Sequence, residues 1–117
     1  MNKFLPNKKI YAMITCYNAA PFLSDTYKNI NKDLYDKIYF FDDKSSDGSA
    51  NIAKKFDWIV IENEKNLGHG GNFKKAIKTV FEDGADYAVE IHADSQYSPN
   101  EIIKAKEMLL ADNDLII

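Results

Sequence analysis

Residues 39–48 read Tyr-Phe-Phe-Asp-Asp-Lys-Ser-Ser-Asp-Gly, an apolar run of strand length that passes into an acidic loop opening onto a helix. Residues 89–99, Val-Glu-Ile-His-Ala-Asp-Ser-Gln-Tyr-Ser-Pro, have the same form. The carboxyl ends of parallel strands share one edge of an open α/β sheet, so we expect the two loops to converge on one ligand there. Carboxylates that meet at such an edge indicate a metal ion or a hydroxyl-rich ligand.

Length and composition are those of an ordinary globular domain. The 117 residues suit one domain spanning residues 1–117, and the net charge of −3 gives no reason to expect a nucleic-acid partner. The single cysteine, Cys16, excludes an internal disulfide and a cysteine-based zinc site, which suits a cytoplasmic location. No segment has a signal-peptide core or the roughly 18 apolar residues of a membrane span.

Short apolar runs alternate with stretches of helical periodicity along the chain. The runs predict strands at residues 10–15, 38–41, 58–62 and 87–91, with another strand beginning at 114. The periodic stretches predict helices at about 21–31, 47–56 and 72–82 and after Pro99, with Asp47 as an N-cap and Gly84 as a C-cap. The expected fold is α/β: a Rossmann-like, mostly parallel sheet with helices on both faces.

The acidic pair Asp42 and Asp43 allows two interpretations. Both residues could belong to a solvated turn that caps the following helix. Capping needs only one carboxylate, however, and adjacent carboxylates at the end of an apolar strand repel each other. A ligand that donates hydrogen bonds to one of them, such as a uracil-like N–H or a ribose hydroxyl, explains the pair better.

The second loop groups three potential metal ligands. In an extended backbone the side chains of His92, Asp94 and Gln96 point the same way, because direction repeats every two residues. Their oxygens suit Mg²⁺ or Mn²⁺, and the imidazole shifts the preference toward Mn²⁺. The alternative is a histidine bonded to the backbone and an aspartate that caps the next helix.

The glycine-containing segment 63–72 matches neither the dinucleotide fingerprint nor the phosphate loop. It is either a flexible connection or a ligand contact, in which Lys65, Asn66 and His69 are available to a nucleotide. The lysines that follow, Lys74, Lys75 and Lys78, are expected to form a solvated helix face.

Four motifs occur in the order and approximate spacing of family 2 glycosyltransferases. They are Thr15-Cys16-Tyr17-Asn18, the acidic loop 42–48, Asn66-Leu67-Gly68, and residues 92–99. Over about residues 8–117 the chain resembles the amino-terminal, donor-binding half of their GT-A fold. Four motifs in register are more specific than any one of them.

The resemblance implies transfer of a sugar from a nucleoside diphosphate sugar, of UDP or GDP type, with Mn²⁺ or Mg²⁺ on the diphosphate. It assigns nucleotide binding to Thr15, Tyr17, Asn18, Asp43, Asn66 and Gly68, with Asp43 on the base. It places the metal at Asp94, the second acidic residue of a D-x-D-like motif, with His92 in place of the first and Gln96 beside them. The continuation 96–99 resembles members that use polyprenyl-phosphate acceptors, and a glycan acceptor is the other expectation.

No residue here matches the later motif from which the family supplies its catalytic base. The resemblance thus implies a truncated glycosyltransferase without its acceptor-binding half, cytoplasmic or peripheral to the membrane, that binds nucleotide but does not catalyse transfer unaided. Two alternatives belong to other classes. A phosphoacceptor receiver domain has similar length and alternation, but requires its acidic pair after the first strand. A noncatalytic nucleotide-binding module would bind without turnover.

Overall fold

A computed structural model describes Asn2 and residues 5–93 of the chain. In this part four parallel strands form one sheet in the order β3-β2-β1-β4. The strands are β1 (Ile10–Cys16), β2 (Lys37–Asp42), β3 (Ile59–Glu62) and β4 (Tyr87–His92). The α/β fold with a parallel sheet is confirmed, and each predicted strand within the described residues is present to within one residue at either end.

Strand β1 lies at the centre of the sheet and is buried along its whole length. Its side chains alternate between two apolar layers, as the period of two requires. Ile10, Ala12 and Ile14 belong to one layer, and Tyr11 and Met13 belong to the other. A strand buried on both faces has no polar face, which explains why the sequence shows a continuous apolar run there.

Helices on one face cover the layer of Ile10, Ala12 and Ile14. A 3₁₀ turn at Ala20–Phe22 leads into α1 (Leu23–Asn29), a second 3₁₀ turn follows at Lys32–Leu34, and α2 spans Ser49–Ala53. Leu23 and Ala53 are fully buried in this layer, together with stacked Phe40 and Trp58. The predicted helix to Phe56 is too long, because Lys55 and Phe56 bond three residues back as turns.

Asp47 is not the N-cap of α2, as the sequence predicted, but the residue before it. Helix α2 starts at Ser49 after Gly48, whose φ of +84° favours glycine, so Gly48 is the N-cap. Asp47 accepts hydrogen bonds from the Ser49 backbone N–H at 3.0 Å and from the Ala20 N–H at 3.0 Å. The aspartate therefore joins the start of α2 to the loop after β1.

Helix α3 (Gly68–Glu82) covers the opposite face of the sheet. Ala76 and Val80 are fully buried beside Tyr11 and Phe41, which confirms helices on both faces. The helix begins four residues before the predicted start, so the three glycines that looked like a loop lie in its first turn. At the other end the C-cap is Asp83 rather than the predicted Gly84, which follows it at φ +107°, the conformation typical of a glycine just past a helix.

The predicted helix after Pro99 and the strand from Asp114 lie outside the described residues, and the single-domain boundary 1–117 stays a prediction. Among the described helices, none is long and apolar enough to cross a membrane.

Candidate functional site

The carboxyl ends of β1, β2 and β4 and the start of α3 line an open cavity. Its volume is about 490 Å³, within the range of small-molecule sites. The residues that line it are Thr15, Cys16, Tyr17, Asp43, Asn66, Gly68, His69, Asn72 and His92. The structure thus brings Asp43 of the first loop and His92, the last residue of β4, to one cavity, as the strand order requires.

Asp43 forms part of the cavity wall although only 2% of its surface is exposed. Its Oδ1 accepts hydrogen bonds from the Leu67 backbone N–H at 2.7 Å and from Asn63 Nδ2 at 2.9 Å. Asn66 Nδ2 donates to the Asp43 carbonyl at 3.0 Å. Both side-chain bonds within the described residues fall on Oδ1, so Oδ2 has accepting capacity for a ligand.

Asp42 has the other role that the sequence allowed. Its carboxylate accepts hydrogen bonds from the Ser45 backbone N–H at 2.9 Å and from Ser45 Oγ at 2.6 Å. Those bonds close the turn after β2, so Asp42 stabilises the loop while Asp43 faces the cavity. The turn interpretation holds for Asp42, and the ligand contact of Asp43 stays a prediction.

A buried amide network beneath the cavity was not foreseen from the sequence. Asn63 Nδ2 donates to Asp43 Oδ1 and to Asn72 Oδ1, both at 2.9 Å, and Asn72 Nδ2 donates to the Phe41 carbonyl at 3.2 Å. Lys75 Nζ donates to Asn63 Oδ1 at 2.7 Å, which leaves the Nδ2 of Asn63 for Asp43. Lys75 is half-buried, so the expectation of a solvated face is wrong for this lysine.

The end of β1 and the loop after it supply three residues, each with a different contact. Thr15 Oγ1 donates to Glu90 Oε2 at 2.9 Å at the cavity wall. Tyr17 is 56% exposed and lines the cavity, so its ring is available to a ligand. Asn18, at φ +53°, accepts from the Ser46 N–H at 2.8 Å and joins two loops. Asn18 is not among the cavity's lining residues, and a nucleotide contact for it stays a prediction.

Cys16 lines the cavity but is 3% exposed. Burial raises the pKa of its thiol to about 11, more than the hydrogen bond with Ser49 lowers it. The thiol is protonated at neutral pH, and a protonated thiol is a poor nucleophile. Cys16 is therefore a poor candidate for a catalytic nucleophile at neutral pH.

Two histidines and a glutamate meet at the cavity mouth. His69 Nε2 lies 3.5 Å from Glu90 Oε2, and His92 Nε2 lies 3.6 Å from Glu90 Oε1. One ligand atom from each residue lies within 4.8 Å of the others. Two imidazoles and a carboxylate fit Mn²⁺ better than Mg²⁺. The other predicted ligands, Asp94 and Gln96, lie outside the described residues.

Comparison with known proteins defines the class and then the family. The fold, a four-stranded parallel sheet flanked by helices in the described residues, is that of GT-A glycosyltransferase domains. The sequence model described as glycosyl transferase family 2 matches residues 11–117, so the chain belongs to that family. Membership confirms the resemblance and removes the receiver alternative, which the position of the acidic pair after β2 already disfavoured.

Alignments with individual relatives cover most of this chain but a smaller share of each relative. UDP-N-acetylglucosamine–dolichyl-phosphate N-acetylglucosaminyltransferase of Methanococcus voltae is 29% identical in an alignment 126 positions long, which covers 93% of this chain and 50% of that protein. This chain therefore spans about half the length of that relative.

Solved structures share the fold at lower identity. Mannosyl-3-phosphoglycerate synthase of Rubrobacter xylanophilus aligns with a TM-score of 0.69 and 20% identity, over 81% of this chain and 34% of the other. A Pyrobaculum calidifontis mannosyltransferase, solved with GDP-mannose and Mn²⁺, aligns with a TM-score of 0.65 and 17% identity, over 90% of this chain and 33% of the other.

Proposed function

We propose that this chain is the donor-binding part of a family 2 glycosyltransferase and that its cavity binds a nucleoside diphosphate sugar. The observation that carries the proposal is the convergence of Asp43 and His92, from separate strands, on one cavity of about 490 Å³. A buried carboxylate at one side and a potential metal-binding group at the other suit a ligand with a hydrogen-bonding base and a diphosphate.

The nucleoside is proposed to lie against Asp43 and Tyr17. The bonds from Asn63 and Leu67 hold the Asp43 carboxylate in one orientation before ligand arrives, so Oδ2 accepts a base N–H without reorganisation. The exposed Tyr17 ring offers a flat apolar surface to the nucleoside. Thr15, Asn18, Asn66 and Gly68 complete the nucleotide set that family resemblance assigns.

The diphosphate is proposed to lie toward the first turn of α3 and His92. The positive end of a helix favours anions, and Gly70 has no neighbour within 4 Å of its Cβ position, so a phosphate can approach the backbone. A divalent cation, Mn²⁺ or Mg²⁺, would be held by His92, with Asp94 and Gln96 by resemblance. When bound, such an ion offsets the charge of the departing diphosphate as a Lewis acid.

The acceptor is proposed to be a polyprenyl phosphate or a glycan. The Methanococcus voltae relative is named for a dolichyl-phosphate acceptor, and residues 96–99 resemble members with lipid-linked acceptors. Such an acceptor suits an enzyme of the cytoplasm that is peripheral to a membrane. The base that deprotonates the acceptor is expected in a later, acceptor-binding half, so the 117 residues alone should bind donor without transferring sugar.

Calorimetry with UDP, GDP, CDP and dTDP, with and without Mn²⁺, tests the donor site. We expect one nucleotide to bind in an Mn²⁺-dependent manner. Asp43→Asn keeps the shape of the side chain but loses one acceptor, and should weaken binding by about 10- to 100-fold, the equivalent of one charged hydrogen bond. The matched control is Asp25→Asn on the exposed face of α1.

Three results would contradict the assignment. Binding of no nucleotide, or equal binding by wild type and Asp43→Asn, would remove the donor site. Metal-dependent binding that survives Asp94→Ala unchanged would remove the metal assignment at that residue. Efficient sugar transfer by the purified 117-residue chain would show that a second half is not needed.

A further inference from the structure

Strand geometry and helix packing bring His69, Glu90 and His92 together. Glu90 and His92 are two residues apart on β4, so their side chains emerge on the same face of the sheet. Helix α3 packs on that face, and His69 lies in its first turn. The cluster therefore arises from the sheet-and-helix framework rather than from one continuous loop.

Two separations in the cluster are close to those between ligands of one metal ion, and one ligand atom from each of the three residues lies within 4.8 Å of the others. Two atoms bound to a first-row ion at about 2.1 Å with tetrahedral geometry lie about 3.4 Å apart. The histidine nitrogens lie 3.5 Å and 3.6 Å from the two Glu90 oxygens. The histidine rings have centroids 4.9 Å apart and an interplanar angle of 31°. Small rotations of two exposed rings would close the set on one ion.

We propose that His69, Glu90 and His92 form a three-residue site for a divalent transition metal, with preference for Zn²⁺, Co²⁺ or Mn²⁺ over Mg²⁺. The inference deepens the proposed function, on which it rests for its role in donor binding. Two of the three ligands, His69 and Glu90, lie outside the D-x-D-like motif. Imidazole ligands bind these ions more readily than Mg²⁺, which prefers oxygen ligands and retains water.

The surroundings of Glu90 favour a bound cation. Its side chain is 19% exposed, and Thr15 Oγ1 donates to Oε2 at 2.9 Å, which fixes the carboxylate in the manner of an outer-shell partner. The positive end of α3 opposes a cation, but this effect is weak at an exposed surface. A full negative charge in direct contact with the ion is the stronger effect, so the site remains favourable to a cation.

Nuclear magnetic resonance of the imidazole groups tests the site directly, because His69 and His92 are the only histidines in the chain. The probe is Zn²⁺ added to the nucleotide-free chain after removal of metal by a chelator. We expect both sets of imidazole signals to shift together and to saturate at one equivalent, while excess Mg²⁺ neither reproduces nor reverses the shifts. His69→Ala removes one set of imidazole signals, which assigns that set to His69 and the remaining set to His92.

Variants separate this ligand set from the alternatives. His69→Ala and Glu90→Gln should each lower Zn²⁺ affinity by about 10- to 100-fold or more, whereas Glu64→Gln, an exposed change in the loop after β3, should leave it unchanged. His69 is 60% exposed, so its loss should not unfold the chain, and far-ultraviolet circular dichroism checks each variant.

Two results would contradict the proposed metal site. Signals that follow pH but not Zn²⁺ would show only ion pairs with Glu90 and overturn the proposal. Zn²⁺ binding lost in Asp94→Ala and retained in His69→Ala would also overturn it. Because the titration contains no nucleotide, its failure and the failure of the donor site are separate results.

Discussion

Asn63→Asp tests the electrostatics of the cavity floor with almost no change of shape. Asn63 is 5% exposed, and its Nδ2 donates to Asp43 Oδ1 and Asn72 Oδ1, both at 2.9 Å. The substitution replaces that NH₂ group by an oxygen, which cannot donate unless it carries a proton. Two carboxyl groups then share the space that an amide and a carboxylate occupy in the wild type.

The expected loss of stability follows from the distance. Two unit charges 2.9 Å apart repel by about 6 kcal/mol at an effective dielectric constant of 20. Keeping one carboxyl group protonated at pH 7 costs only about 4 kcal/mol, so the pair would bind a proton instead. Lys75 Nζ, 2.7 Å from the other side-chain atom of Asn63, offsets part of the repulsion. We expect a loss of about 2–4 kcal/mol at pH 7.

Urea unfolding of wild type and variant between pH 7 and pH 4.5 measures this loss. The folded variant holds a proton that its unfolded chain lacks, so lowering the pH should reduce the loss by up to about 1.4 kcal/mol per unit. The control, Asn51→Asp on the exposed side of α2, should change stability by less than about 0.5 kcal/mol. A loss at Asn63 below 1 kcal/mol, or one that does not depend on pH, would refute the reasoning.

Two further predictions concern titratable groups. The buried Cys16 thiol, whose pKa burial raises to about 11, should resist alkylation at pH 8 until urea is added, as mass spectrometry would show; rapid native labelling would contradict this. Because the thiol pKa is higher in the folded than in the unfolded chain, it stabilises the folded chain at pH values below the unfolded pKa. The stability of wild type relative to Cys16→Ala should therefore fall between pH 9 and 11. Partial burial tends to raise the pKa of Asp36, but hydrogen bonds from Ile10 and Asn2 lower it overall. Asp36→Asn should therefore cost about 1–2 kcal/mol in urea unfolding at pH 7, a deficit that shrinks as acid protonates the wild-type carboxylate; a deficit constant down to pH 3 would contradict it.

The sequence predicted secondary structure correctly where a local pattern is sufficient. The four strands within residues 10–92 needed only short apolar runs, and α3 needed only its apolar periodicity. The ends were less predictable. The first turn of α3 contains three glycines, whose low helix propensity indicated a loop, and packing against the sheet overrides that propensity.

Which residues contact one another in the site depends on distances across the fold, and no sequence pattern gives those distances. The sequence proposed that one of two adjacent carboxylates meets a ligand, and the turn at Ser45 decides that Asp42 is engaged locally. Glu90 and Lys75 received no site role from the sequence, because Thr15 and Asn63, to which they bond, lie 75 and 12 positions away. Period two placed Glu90 beside His92, which was the signal available for it.

The sequence by itself determined the α/β class, the order of the elements and the family, because apolar periodicity and short motifs are local properties of the chain. The tertiary structure alone decided which polar groups share the cavity. Strand β1 lies between β2 and β4, so Asp43 and His92 meet across it although 49 positions separate them in sequence. His69 and Lys75 lie near them because α3 packs on one face of the sheet, whereas Asn63 lies near Asp43 because β3, which it directly follows, pairs with β2.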